Sequence, residues 1–182
     1  MALTDQSKLA LRAGLGEAAG LEVANALVGT ANSVTILGAK GDGSTDDSNA
    51  FARAAATANS LIVVPPGTYV LNTAIAILSG QTWLFVGNPT ITHTDATKNL
   101  FTATTVNDWE MRGNAKFSGM GSGTAGNECG LVVTDCENYK IDGLYFEGFR
   151  NRGIELRSLS DTTPSTYRKR GFLNNVVIHD CR

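Results

Sequence analysis

The sequence predicts an all-β solenoid: short parallel strands wound into stacked coils, with one helix at the near end. Three observations predict it. Short apolar runs near glycines recur about one coil apart: Gly87, Gly113 and Gly143 are spaced by 26 and 30 residues, and Ile141 and Leu173 by 32. Recurrence at about 20–50 residues, each copy a strand, a turn and another strand, marks a solenoid. The run Leu61-Ile62-Val63-Val64 is apolar throughout, as a parallel strand buried on both faces requires. Phe51, Ala54, Ala55 and Ala58 fall on one narrow helical face able to cover the open first rung of such a stack. A β-sandwich is the competing all-β class, and it would show less of this recurrence.

Composition narrows the options. The 182 residues suit one domain, and 42% hydrophobic with 18% charged residues provides a core. Aromatic residues make up 7%, which argues against a large aromatic core. A formal net charge of −2 argues against a general nucleic-acid binder. Charge is uneven: from Lys140 onward there are eight Lys/Arg and five Asp/Glu, before it seven and twelve. The basic run Arg168-Lys169-Arg170 reads as a solvated loop or, more sharply, as a surface for an acidic glycan. Cys129, Cys136 and Cys181 are odd in number and lack metal-ligand spacing, so reduced thiols are expected, as in a protein assembled in a cytosol. No signal peptide or membrane-spanning run is read, and no cofactor or metal is expected.

Residues 1–33 form a separate arm. Leu9, Leu11, Leu15 and Leu21 are diluted by Gly14, Gly16 and Gly20, each costing roughly 1 kcal/mol inside a helix. Such a segment needs a partner surface. Residues 34–37 read as a strand. Gly38, Gly41 and Gly43 then turn the chain, and Thr45, Asp46 or Asp47 caps a helix running from about Ser48 to Ala58. Leu61–Val64 is the next strand, Pro65-Pro66-Gly67 turns, and Thr68–Leu71 alternates as a half-buried strand does. Beyond Trp83 the copies around Leu84–Gly87, Trp109–Gly113, Tyr139–Gly148 and Leu173–Asp180 continue the stack. Gly119–Gly130 and Ser158–Gly171 are its loop excursions. The last strand, Val176–Ile178, is followed by four residues and no cap, which reads as the front of a longer chain or as an open end that stacks on another chain.

The blocks Gly41-Asp42-Gly43-Ser44-Thr45-Asp46-Asp47 and Leu61–Leu71 together resemble the leading segment of the pectate-lyase-like superfamily, and specifically its bacteriophage tailspike and tail-fibre branch. The resemblance implies a right-handed single-stranded parallel β-helix over 34–182, with an N-terminal capping helix and a short N-terminal arm. It implies that residues 1–33 attach to phage tail, baseplate or portal proteins, and that the spike is a homotrimer by analogy. The ligand would be host capsule or lipopolysaccharide glycan, and the location the virion after assembly in host cytoplasm. Neither nucleic acid nor membrane insertion is implied. The alternatives are a bacterial polysaccharide lyase or glycoside hydrolase, and a non-enzymatic virion structural or adaptor protein.

Glycan hydrolysis needs two carboxyls about 5 Å apart for retention or about 6.5–9.5 Å apart for inversion. Acids on neighbouring coils can meet these distances. The candidates are Asp135, Asp142, Glu147, Glu155 and Asp180. Glu147 and His179 fall at the same position of the repeat and are expected to stack. Ordinary solvated acids are the competing reading for every one of them. Asp42, Asp46 and Asp47 are close-spaced oxygen donors, but a turn with a helix cap explains them better than a metal site. The family's polygalacturonase signatures Asn-Thr-Asp, Gly-His-Gly and Arg-Ile-Lys do not occur, so the resemblance speaks for fold more than for catalytic residues. His93 and His179 are expected on the surface at strand ends. Trp83 and Trp109 are expected at matching repeat positions, packed against the coil.

Overall fold

The structure, a computed structural model, describes residues 32–121, 126–157 and 171–181. The arm up to residue 31, the basic run at 168–170 and nearly all of the second excursion lie outside the described residues. Residues 122–125 of the first excursion lie outside them too.

The chain is a parallel β-helix with three faces. The first face stacks β1 (Asn32–Ser33), β3 (Leu61–Val64), β6 (Thr82–Phe85), the front halves of β9 (Glu110–Ser118) and β11 (Tyr139–Glu147), and β13 (Gly171–Asn174). The second stacks β2 (Asp42–Asp46), β4 (Thr68–Leu71), β7 (Thr90–His93), the rear halves of β9 and β11, and β14 (Val177–His179). The third stacks β5 (Ile75–Ile77), β8 (Phe101–Thr104), β10 (Cys129–Thr134) and β12 (Arg152–Arg157). All described strand pairs are parallel, and a helix, α1 (Ser48–Ala55), precedes the first strand of the third face.

β9 serves two faces because it bends at Gly113. There φ is 111°, and a Cβ would lie 2.0 Å from the carbonyl oxygen of Phe85. β11 repeats the bend at Gly143, where a Cβ would meet the Gly113 carbonyl at 2.5 Å. Only glycine satisfies both the backbone and the space. Gly113 and Gly143 are therefore one coil apart, as expected, whereas Gly87 is not their partner: Phe85 pairs with Gly113. Trp83 pairs with Met111, so Trp83 and Trp109 do not share a repeat position, although both are buried against the coil.

The scarce aromatics do build a core, in the form of a column. Phe51 lies 6.2 Å from Trp83, Trp83 5.3 Å from Phe101, Phe101 5.6 Å from Phe117, and Phe117 stacks 4.9 Å above Phe146. Few rings suffice because rings from the three faces meet across the interior, and Phe117 and Phe146 stack in register.

The start of the chain departs from expectation. Residues 34–38 are a turn, and the strand is Asn32–Ser33. Local bonds close that turn, with Gly38 N–H donating to Thr35 O at 3.0 Å and Ala39 N–H to Val34 O at 2.9 Å. The Gly-Asp-Gly block is an irregular strand, β2. Asp47 occupies the cap position, yet its buried carboxylate reaches back to the N–H groups of Lys40 (2.7 Å) and Gly41 (3.2 Å). Asp46 accepts instead from Ser48 N–H at 2.9 Å. The helix stops at Ala55; Phe51, Ala54 and Ala55 face inward and Ala58 is exposed.

α1 closes the near end beside β5, with Phe51 on the column and 5.3 Å from Tyr69. The carbonyls at a helix C-terminus lack intrahelical partners. Asn32 Nδ2 takes Ala54 O at 2.6 Å, and the fully buried Gln81 donates through Nε2 to Ala55 O (2.8 Å) and Thr57 O (2.9 Å). Its Oε1 accepts from Leu78 N–H (2.9 Å) and the Trp83 indole N–H (3.2 Å). One side chain thus joins the plug, the turn before β6 and the aromatic column. Gln81→Met keeps the volume and removes four hydrogen bonds, two buried and two part-buried, so urea unfolding should show a loss of about 3 kcal/mol. A loss below about 1 kcal/mol would remove Gln81 from that role.

Candidate functional site

Period-two alternation decides which side chains can meet a ligand. On the second face Phe117, Phe146 and Ile178 point inward, so Lys116, Ser118, Tyr145, Glu147 and His179 point outward. Register stacks them in two columns, Lys116 with Tyr145 and Val177, and Ser118 with Glu147 and His179. The expected alignment of Glu147 with His179 is thus the observed one.

The columns end in an open cleft of about 710 Å³. Tyr145, Glu147 and Gly148 form its floor, His179, Asp180 and Cys181 one side, and Gly121 the other. Glu147 accepts from Lys116 Nζ at 2.7 Å, with Ser118 Oγ at 3.5 Å. The Lys116 hydrogen bond holds the Glu147 carboxyl below the usual glutamate range. The rings of Tyr145 and His179 lie 6.5 Å apart and nearly parallel, at 23°. His179 Nδ1 is 3.1 Å from Asp180 Oδ2. Burial pushes the Cys181 thiol up, making it a poor nucleophile.

The other expected acids lie elsewhere. Asp142 is on the first face, 3.3 Å from Lys140 Nζ, and accepts from Asn174 Nδ2 at 3.0 Å. Glu155 is on the third face, held by Arg152 (2.9 Å) and Arg157 (2.5 Å), and these partners keep its carboxyl low. Asp135 sits in the left-handed turn after β10 with φ 51°. Glu147, His179 and Asp180 are therefore brought together, and Asp142, Glu155 and Asp135 are not among them. Asp42 spends its oxygens on Ser44 and Thr45, which hold it far below the usual aspartate range. Among the described residues no three metal-ligating side chains converge.

Two features escaped the sequence. Lys116 and Tyr145 join the cleft columns; their signal was the coil spacing back from Glu147 and the i,i+2 alternation within a strand. His93 is buried rather than superficial, because β7 turns Ile91 and His93 inward together. Its Nδ1 lies 3.9 Å from Oε1 of Glu128, and both side chains are fully buried.

Comparison with solved structures places this fold among known β-helices. A provisionally designated glycosyl hydrolase of Parabacteroides merdae superposes with a TM-score of 0.65 at 12% identity, over 82% of this chain and 74% of that one. ORF18 of Geobacillus virus E2 gives 0.58 at 16% identity, over 88% of this chain and 38% of that one. The A-module of the Azotobacter vinelandii mannuronan C-5 epimerase gives 0.61 at 16% identity, over 82% of this chain and 50% of that one. The chain thus spans half or less of the viral and epimerase chains. No curated protein sequence matches it. The family model for rhamnogalacturonase A/epimerase, pectate lyase-like proteins matches residues 31–167, most of the chain. The chain belongs to that pectate-lyase-like family.

Proposed function

We propose that this chain is the virion-proximal part of a phage tailspike or tail fibre, and that the second-face cleft contacts host surface polysaccharide. The observation that carries the glycan reading is the register placing Tyr145, Glu147 and His179 together at an open cleft. Flat rings such as Tyr145 and His179 suit the apolar faces of sugars, and an ionised Glu147 accepts hydrogen bonds from sugar hydroxyls. A carboxyl held low serves as acceptor or base and is a poor general acid at neutral pH. Binding and scaffolding therefore fit this stretch better than hydrolysis. The likeness to the viral ORF18, which extends over 88% of this chain, favours the phage setting. In this reading the arm ahead of β1 attaches the spike to the tail, three copies assemble side by side, and depolymerising chemistry belongs to other parts of the spike.

A second reading has its own support. The Parabacteroides merdae neighbour is matched over 74% of its length and bears a glycosyl-hydrolase designation. A free polysaccharide hydrolase or lyase would turn glycan over without any particle.

Two measurements test the proposal. Immobilised panels of bacterial capsule and lipopolysaccharide should retain the wild-type chain, and Glu147→Gln combined with His179→Ala should lower retention at least about tenfold with the fold intact, equal to about 1.4 kcal/mol. Deleting residues 1–31, which spares β1 and the Asn32 bond to α1, should abolish incorporation into particles and leave glycan retention unchanged. Steady glycan turnover by the deleted chain, without any particle role for the full one, would decide for the free enzyme.

Lys116→Met isolates the electrostatic part. The Glu147 carboxyl should titrate closer to the ordinary glutamate value in a carbon-13 NMR titration. Because the folded-state value is lowered, the Glu147 contribution to stability is present above the unfolded glutamate value and fades as pH falls through the folded one. The pair is half exposed, so the variant should lose less than about 1 kcal/mol. An unmoved Glu147 titration would mean that Lys116 does not set its ionisation.

A further inference from the structure

Behind the cleft lies a polar pair that the glycan reading does not use. Glu128 is fully buried and accepts from Met120 N–H at 3.2 Å and 3.4 Å. Met120 immediately precedes Gly121, which lines the cleft. Gly121 is also held from the next coil, its N–H donating to Gly148 O at 2.8 Å and its carbonyl accepting from Arg150 Nε at 3.1 Å. His93 stands against Glu128 from the preceding coil. Asp95 N–H donates to His93 Nδ1 at 3.1 Å, so the neutral ring carries its proton on Nε2, which is buried without a hydrogen-bond partner.

We infer that Glu128 is a positioning residue for the Met120–Gly121 wall of the cleft, and that proton uptake by the His93–Glu128 pair loosens that wall. The reasoning follows the proton. If it goes to His93 Nδ1, the ring can no longer accept from Asp95 N–H. It becomes a donor aimed at Glu128 Oε1, in competition with Met120 N–H. If it goes to Glu128, the carboxylate becomes a carboxylic acid and a weaker acceptor for Met120 N–H. Both routes remove one negative charge, or compensate it, at the point where the wall is held.

The charged surroundings are few. Asp95 beside His93 favours its protonated form and Lys98 opposes it. Arg150 favours ionised Glu128, Asp95 opposes it, and the Cys181 thiol also senses Glu128. Burial lowers His93 below its usual value and raises Glu128 above its own, so the two shifts run in opposite directions. For His93 the unfolded chain binds more protons as pH falls through the ordinary histidine value, which costs stability. For Glu128 the folded chain binds more, which adds stability. The two oppose each other, so global stability is a poor readout and local amide signals are the right one.

The test is a nitrogen-15 NMR titration of the full chain from about pH 7.5 to about pH 4.5, without glycan. The chain has two histidines, so the His93 ring is identified by comparison with His179→Ala. The Met120 and Gly121 amides should move with the same midpoint as the His93 ring. In Glu128→Met, which removes the acceptor and cannot titrate, those amides should stay flat while His93 still titrates. If Glu128→Met does not fold, His93→Gln serves: the amide midpoint should move by at least about half a pH unit. Flat amides in the wild type, movement surviving in Glu128→Met, or an unchanged midpoint in His93→Gln would overturn the inference. The importance of the wall rests on the glycan reading, but its titration does not. Loss of glycan retention with intact coupling would sink the former alone.

Discussion

In-register parallel stacking is the constraint on which the rest of the molecule depends. Each inward residue lies over its counterpart one coil away, so neighbouring coils must keep the same alternation. That sets Phe146 over Phe117, and it forces glycine where β9 and β11 turn between faces. The turns obey it as well. Thr105 and Asp135 are left-handed one coil apart, as are Asp108 and Asn138. A slip of one residue in β11 would invert Glu147 and Phe146 together, losing the cleft and the column at once.

The two ends of the described stack differ. At the near end α1 covers the first rung, and Asn32, Gln81 and Ser48 tie both helix termini to the coils. Ser48 Oγ does so by accepting from Asn72 N–H at 2.7 Å. At the other end β13 and β14 leave Phe172 and Val177 exposed, at 62% and 49%. The cleft lies towards the β14 end of the described stack, where Tyr145 and Glu147 are carried by β11, which pairs with both neighbouring coils.

Much of this was legible in the residues. Leu61–Val64 and Thr68–Leu71 were read as strands and are strands, and the alanine-faced helix was placed at the near end. The Glu147–His179 match followed from counting along two copies, because coil spacing is a one-dimensional property. The misreadings share a cause. Val34–Leu37 looks like a strand, but local turn bonds close it on itself. Asp47 takes the cap position, but Lys40 and Gly41 N–H claim its carboxylate, and Asp46, another of the three cap candidates, accepts from the first helical turn. Gln81, His93 and Glu128 carried no sequence signal, since a buried polar residue is defined by partners 24 to 35 positions away.

The same accounting explains why the second face is the functional candidate. On the first face charges answer one another, Arg112 with Glu110 and Lys140 with Asp142, which leaves a neutral ladder with little to offer a ligand. On the third face Glu155 is clamped between two arginines and touches the Cys129 thiol at 3.4 Å, so its acceptor capacity is spent. On the second face Glu147 is paired through Lys116, and that pairing keeps it ionised without covering it. Beside it Tyr145, His179 and Asp180 face an open cleft. Recognition of a neutral or acidic sugar needs acceptors and flat apolar rings that water can leave cheaply. A half-exposed, pre-oriented pair next to stacked rings meets that need, and a saturated charge ladder does not.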